Sequence, residues 1–280
     1  MDKLVSIIVP FHNDGAYLEQ AIQSIFDQTY HNKEIIVVDD GSDEKNKEVL
    51  KQLEPKVNHI ITQDNQGPSV ARNVGIKAAK GGYILTLDAD DYFEQSFIQK
   101  AVGILDNNPK VGLATCHART FNTKGTTGEI IACGGEAYEL LIRNGALASC
   151  MFRKEAWREV KGYDENMLKG YEDWDFNISL VKTGWKIHVI NEYLFNYRQK
   201  KRSRNEIADS LYKYDLLTFL YQKHKDVFIQ NYDQNILHLF RSMKKLEKEK
   251  IKIGNTSTYR LGDAVLRPIK FLAEKRKKFF

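Results

Sequence analysis

Residues 64–91 read DNQGPSVARNVGIKAAKGGYILTLDADD. A polar turn, Asn65-Gln66-Gly67, opens a segment with helical spacing over residues 69–79. A glycine pair follows, then the apolar run 83–87, then three carboxylates in four positions, Asp88, Asp90 and Asp91. Turn, helix, strand and acidic loop in that order make one unit of an alternating α/β chain. Carboxylates this close repel and raise one another's pKa, so the cluster calls for a cation or a fixed set of donors. A lone Asp at a strand end is more often a cap or a turn former. The D-x-D-D frame points instead to a hard divalent cation, which prefers clustered oxygen ligands.

The same alternation runs upstream. Residues 4–9 form a short continuous apolar run ended by Pro10, as a strand covered on both faces requires. Asn13 or Asp14 can cap a helix through Leu18, Ala21, Ile22, Ile25 and Phe26. Residues 34–38 read as a second strand, Ser42 or Asp43 as the cap of a second helix through Leu50 and Leu53, and residues 59–62 as a third strand. The rhythm predicts a mainly parallel sheet flanked by helices, in which ligands collect at the carboxyl ends of the strands. Each polar cluster falls at such an end: Phe11-His12-Asn13, Asp39-Asp40-Gly41-Ser42 and Asp88-Ala89-Asp90-Asp91. From about Ala114 the pattern changes to short strands and Gly-rich turns. Beyond Glu206 it becomes helical and charged, with one apolar stripe over Leu211, Tyr214, Leu217, Leu220 and Tyr221 and another over Ile236, Leu237, Leu239, Phe240, Met243 and Leu246.

With 280 residues, 42% hydrophobic and 28% charged, the chain suits one large domain with an appendage. A net charge of +5 is too mild to imply nucleic acid. Cys116, Cys133 and Cys150 are far apart, which suggests neither a zinc site nor a disulfide framework and makes reduced, cytoplasmic thiols the expectation. No run reaches the length of a membrane span, and the N-terminal apolar stretch is too short for a signal peptide.

The stretches SIIVPFHN, EIIVVDDGSD, DNQGPSVARNVGIKAAKGGYILTLDADD, GYEDWDFNISL and YRQKKRS stand in an order that resembles the family 2 glycosyltransferases. These are inverting enzymes of the GT-A fold that use nucleotide-diphosphate sugars. The resemblance is dense over residues 5–91 and resumes over 149–203. It implies that Asp39 accepts a hydrogen bond from the N3–H of a uracil ring, with Ser42 or Asp43 capping the next helix. Pro10 and Phe11 would line the base and ribose pocket, although Phe11 also suits a core position. Gly67 permits the tight turn after Asn65, and Arg72 can neutralise phosphate or orient the acidic cluster by bidentate pairing.

In the family's D-x-D pattern Asp90 binds Mn²⁺ or Mg²⁺, and Asp88 contacts ribose or metal-bound water. Asp91 reads as the cap of a helix from Phe93 onward. Glu172 and Asp173 match the acceptor-side acidic pair, with Asp173 as the general base and Glu172 beside it; an exposed acidic helix start is the plainer reading. Trp174 suits either an acceptor wall or a core site. Arg198 belongs to a flexible basic segment that closes over the diphosphate in relatives, and a solvated basic loop is its rival. His188 is read as structural rather than as an extra ligand.

The resulting expectation is a metal-dependent inverting glycosyltransferase that takes a UDP-sugar and a glycan or lipid-linked acceptor in bacterial surface polysaccharide synthesis. The alternatives are a catalytically silent sugar-nucleotide-binding relative and a nucleotidyltransferase. The latter lacks its Gly-rich loop, since that position reads PFHNDG at residues 10–15. The expected division is a nucleotide-sugar half at 1–113, an acceptor half at 114–205 and a helical basic appendage at 206–280. The final stretch YRLGDAVLRPIKFLAEKRKKFF is basic and partly amphipathic. Either it lies on the anionic inner face of a membrane or it packs back on the appendage.

Overall fold

The computed structural model describes residues 3–201, 203–262 and 264–266. The basic tail from Arg267 onward therefore lies outside the described residues, and so does Arg202. The chain divides into two compact units, Met1–Val227 and Phe228–Phe280.

The first unit opens with β1 (Val5–Phe11), α1 (Gly15–Phe26), β2 (Lys33–Asp40), α2 (Glu44–Leu53), β3 (His59–Gln63), α3 (Pro68–Ala78) and β4 (Tyr83–Thr86). There follow β5 (Tyr92–Phe93), α4 (Phe97–Asn107), β6 (Val111–Asn122), β7 (Gly125–Ile130), α5 (Ala137–Leu140), β8 (Met151–Arg153), α6 (Lys154–Glu159), α7 (Glu172–Lys182) and β9 (Lys186–Arg198). Helices α8 (Arg204–Ile207), α9 (Lys213–Lys223) and α10 (Lys225–Gln230) lead into the second unit, which is built on α11 (Tyr232–Gly254).

The sheet runs β3-β2-β1-β4-β8-β6-β9-β5, with β7 on β6. Strands β3, β2, β1 and β4 are parallel, as are β6 and β9. Strands β8, β5 and β7 pair antiparallel. The α/β expectation holds: the sheet is mostly parallel, curled and flanked by helices.

Both faces of this sheet are covered, which is why β1 is apolar apart from Ser6, whose buried hydroxyl donates to Glu34. Val5, Ile7 and Val9 join one core cluster with Leu18, Ile22 and Ile25 of α1, while Ile8 joins the other with Ile36, Val38 and Ile76. The two-residue period of a strand sends alternate side chains to the two layers. Helix α3 lies close against the second face. A Cβ added at Gly75 would stand 2.5 Å from Ile8 Cγ2 and 3.0 Å from Val38 Cγ2. Only glycine admits that approach, and it fixes the depth at which Arg72, one turn earlier, enters the site.

Three local expectations change. Residues 92–93 are a short strand paired with β9, and helix α4 begins only at Phe97, so Asp91 caps nothing there. The region after Ala114 is dominated by the 12-residue strand β6, rather than by short strands alone. Along α9 it is Leu216 and Leu220 that are buried, whereas Leu211 and Tyr214 before and within it are exposed, because the packed face is narrower than the apolar stripe. His188 lies inside β9. Asp43 does cap α2, accepting from Asn46 N–H at 2.9 Å. No helix among the described residues is long and apolar enough to cross a membrane.

Candidate active site

The expected site residues gather in three clusters at the carboxyl ends of β1, β2 and β4. The first is built on β2. Asp39 is buried; its Oδ1 accepts from Ser42 N–H at 3.0 Å, and its Oδ2 is buried without a hydrogen-bond partner. An orphaned buried carboxylate oxygen is costly, so it marks a place where a donor from outside the chain belongs. Next to it, Asp40 accepts from the backbone N–H groups of Gln66 and Gly67, both at 2.8 Å. That holds the turn ahead of α3, where Gly67 has φ +89°, backbone that other residues rarely adopt. Asn65 Nδ2 lies 3.1 Å from the His12 ring, and His12 Nδ1 lies 2.9 Å from the Asp40 carbonyl. Pro10 is half-buried at the same strand end, while Phe11 packs inside the core.

The second cluster is centred on Arg72, which is 2% exposed. Its Nη2 donates to Asp88 Oδ1 at 2.7 Å and its Nη1 to Glu172 Oε1 at 2.8 Å. Arg204 donates to the same Glu172 oxygen at 2.8 Å. Burial pushes the Glu172 carboxyl up, but Arg204 and Arg72 outweigh it and hold the group down at about 2. Asp173, the next residue of α7, has no such ion pair. Its dense surroundings, then the charge of Glu172, push it up to about 6, against the opposing pull of Arg72 and of Asn144. Asn144 Nδ2 donates to Asp173 Oδ2 at 2.7 Å. Trp174 is half-buried, and its indole N–H donates to the Leu140 carbonyl.

The third cluster joins the acidic loop to the end of β9. Lys200 Nζ lies 2.7 Å from both Asp14 Oδ1 and Asp90 Oδ2. Asp91 is buried, and its Oδ1 accepts from Arg198 N–H at 2.7 Å. Arg198 donates from Nε to the Asp90 carbonyl at 2.8 Å and from Nη2 to Gln20, and its guanidinium lies between the rings of Tyr17 and Phe121 at 4.4 and 4.5 Å. Burial pushes the Asp90 and Asp91 carboxyls up. For Asp91 the Asp90 charge adds to the effect.

Among the described residues, no group of three or more His, Cys, Asp or Glu side chains is placed to hold a metal by itself. The donor set nevertheless fits a hard cation in one specific way. Asp90 is already paired with a positive charge, the tethered ammonium of Lys200, and the oxygens around it are those Mn²⁺ or Mg²⁺ prefer. Such ions are commonly held by one or two carboxylates with substrate phosphates completing the shell. Asp90 and Asp88 fit that role once Lys200 withdraws.

A separate cleft of about 520 Å³ lies beside α3 and α7, lined by Asn73, Lys77, Trp157, Tyr163, Asp164 and Lys223. None of the expected site residues lines it. Sequence reading missed Asp40 as the holder of the 66–67 turn and Asp14 as a partner of Lys200, and missed Asn144 and Arg204. Arg204 directly follows the basic motif and could have been found there. Asn144 stands in the loop between α5 and β8 with no signal of its own.

A curled α/β sheet with acidic loops at its carboxyl ends is the GT-A architecture. Staphylococcus aureus TarS, residues 1–349 in complex with UDP-GlcNAc, matches at a TM-score of 0.61 and 20% identity over 74% of this chain and 61% of that one. The model of Glycosyl transferase family 2 matches residues 6–152, just over half of the sequence, and the chain belongs to that family. Among curated relatives, the uncharacterized glycosyltransferase EpsJ of Bacillus subtilis is 29% identical over 74% of this chain and 64% of its own length. The minor teichoic acid biosynthesis protein GgaB of the same organism is 27% identical over 82% of this chain and 27% of its own length. The chain spans 43%, 64% and 32% of the length of three such relatives, from Haemophilus influenzae, B. subtilis and Streptococcus pneumoniae.

Proposed function

We propose that the chain is an inverting glycosyltransferase that moves a sugar from a UDP-sugar to an acceptor hydroxyl, with Asp173 as general base. The observation that carries this reading is the split between two adjacent carboxyls. Glu172 is held ionised by two arginines at about 2, and Asp173 is raised to about 6. Environments that push neighbouring carboxyls apart in this way separate a structural charge from a working acid or base. In the reaction, the acceptor oxygen attacks the anomeric carbon and its proton passes to Asp173. The bond from that carbon to the diphosphate breaks, and its electron pair leaves with UDP.

Asp39 supports uridine as the base, because its free Oδ2 can accept from an imide N–H. Asp40 holds the Gln66-Gly67 turn over the same pocket. Arg72 fixes Asp88 and Glu172 in register. A divalent cation on Asp90 and Asp88, when bound, supplies Lewis-acid stabilisation of the departing diphosphate. The likeness to TarS is one of fold, so the donor assignment rests on Asp39 rather than on the sugar nucleotide bound there.

GgaB's name supports a cell-surface polymer as the acceptor class. The basic, partly amphipathic sequence from Tyr259 onward supports peripheral attachment to an anionic membrane. Co-sedimentation of the full chain and of a chain truncated before Tyr259 with anionic vesicles tests that attachment; equal binding by both excludes the tail as the anchor.

Screening UDP-, GDP-, CDP- and dTDP-sugars for thermal stabilisation and nucleotide release, with and without Mn²⁺, tests the function itself. The reading predicts a response to a UDP-sugar that is strengthened by metal. Metal-independent turnover, or no response to any UDP-sugar, contradicts it.

A further inference from the structure

Asp173 is held from one side by a chain of two amides. Asn177, one turn along α7 and 1% exposed, donates from Nδ2 to Asn144 Oδ1 at 2.8 Å. Asn144 in turn donates from Nδ2 to Asp173 Oδ2 at 2.7 Å. An amide has one acceptor end and one donor end, so the bond from Asn177, helped by a longer one from the Ala146 N–H at 3.5 Å, decides which end Asn144 presents to the carboxylate. The loop bearing Asn144 is tied down on both sides. The Gly145 carbonyl accepts from Cys133 and Gly134 N–H at 3.1 and 2.8 Å, and the Leu140 carbonyl accepts from the Trp174 indole. Asn144 itself is half-buried, at the end of the cluster that holds Arg72 and Glu172.

From this geometry we infer that Asn144, oriented by Asn177, is a positioning residue that aims the Asp173 carboxylate and commits its Oδ2, leaving Oδ1 to take the acceptor's proton. The inference rests on the reading of Asp173 as the base. A carboxylate that accepts an amide N–H is stabilised in its charged form, so Asn144 also opposes the rise imposed by burial and by Glu172. The titratable and charged groups facing Asp173 are Glu172 and Tyr171 on either side of its helix start, Arg72 from α3, Cys150 ahead of β8 and Tyr163 after α6. None of them donates the bond that Asn144 gives.

The test is the titration of Asp173 itself, followed by carboxyl ¹³C NMR in the full chain labelled with ¹³C-aspartate and assigned by loss of the signal in Asp173→Asn. Asn144→Leu keeps the branched outline of the side chain and removes the donor. It should raise the Asp173 midpoint by about one to two pH units, the worth of one hydrogen bond to a charged group. Asn177→Leu keeps Asn144 but leaves only the longer Ala146 N–H bond to orient its amide, and should shift the midpoint in the same direction by less. Asn144→Asp, which places a like charge beside Asp173 without loss of volume, should shift it up at least as far as Asn144→Leu. An unchanged midpoint in Asn144→Leu and Asn144→Asp overturns the inference. Failure of the underlying reading shows separately, as full UDP release by Asp173→Asn.

Discussion

Arg72 and Glu172 are a hundred positions apart in sequence, and their side chains meet at 2.8 Å with both almost fully buried. The pair joins α3 to α7, and the other arm of the same guanidinium holds Asp88. One planar cation with fixed donors therefore sets the distance between the acidic loop after β4 and the start of α7. That is a task for arginine's fork rather than for a lysine point charge.

Replacing Arg72 with Leu should accordingly destabilise the protein. Glu172 retains Arg204, but a buried carboxylate loses one of its two cations and Asp88 loses its partner, for a cost on the order of 3 kcal/mol. Urea denaturation measures it. A loss under about 1 kcal/mol would show that Arg204 alone satisfies Glu172.

Asp39→Asn isolates the base-reading oxygen. The amide can still accept from Ser42 N–H through Oδ1 but puts an NH₂ where Oδ2 stood, so it presents a donor to the imide N–H of uracil. UDP affinity should fall by roughly 10- to 100-fold with little change in stability, read by calorimetry. Unchanged UDP binding would place the nucleobase elsewhere.

Lys200 sits where a divalent ion would compete for Asp90. Lys200→Ala should therefore tighten Mn²⁺ binding to the nucleotide-free protein by roughly tenfold, as read by electron paramagnetic resonance of free Mn²⁺. Weaker or equal Mn²⁺ binding would mean that Lys200 does not guard the cation position.

Much of this arrangement was legible in the sequence because it is local. Strand, acidic loop and helix follow one another within single β/α units, so Asp39, Asp88 and Asp90 could be placed at strand ends from apolar spacing alone. The pairing of Arg72 with the acidic loop was legible too, from its motif. The longer-range partners could not be read: Asn144 reaches Asp173 across 29 positions, Arg204 reaches Glu172 across 32 and Lys200 reaches Asp14 across 186, and no periodicity encodes such distances. Asp91 misled for a related reason. Its neighbours pair with β9, a strand a hundred residues away, and that pairing overrode the local tendency of an Asp to open a helix.

The pH profile separates the two acidic candidates. A base must be ionised to accept a proton, so with Asp173 pushed up to about 6 the value of kcat/KM should hold above that pH and fall about tenfold per unit well below it. Were Glu172 the base, held at about 2, the profile would stay flat to pH 5. UDP release followed from pH 5 to 8 at constant ionic strength distinguishes them.

The most direct test of the central claim is UDP release by wild-type protein and Asp173→Asn, measured with a saturating UDP-sugar and Mn²⁺, alongside calorimetric donor affinity for both. Asparagine keeps the shape and can still pair with Asn144, but it cannot take a proton. The account predicts donor affinity within a few-fold of wild type and turnover lower by roughly 10²–10⁴. Turnover by Asp173→Asn at the wild-type rate would contradict it.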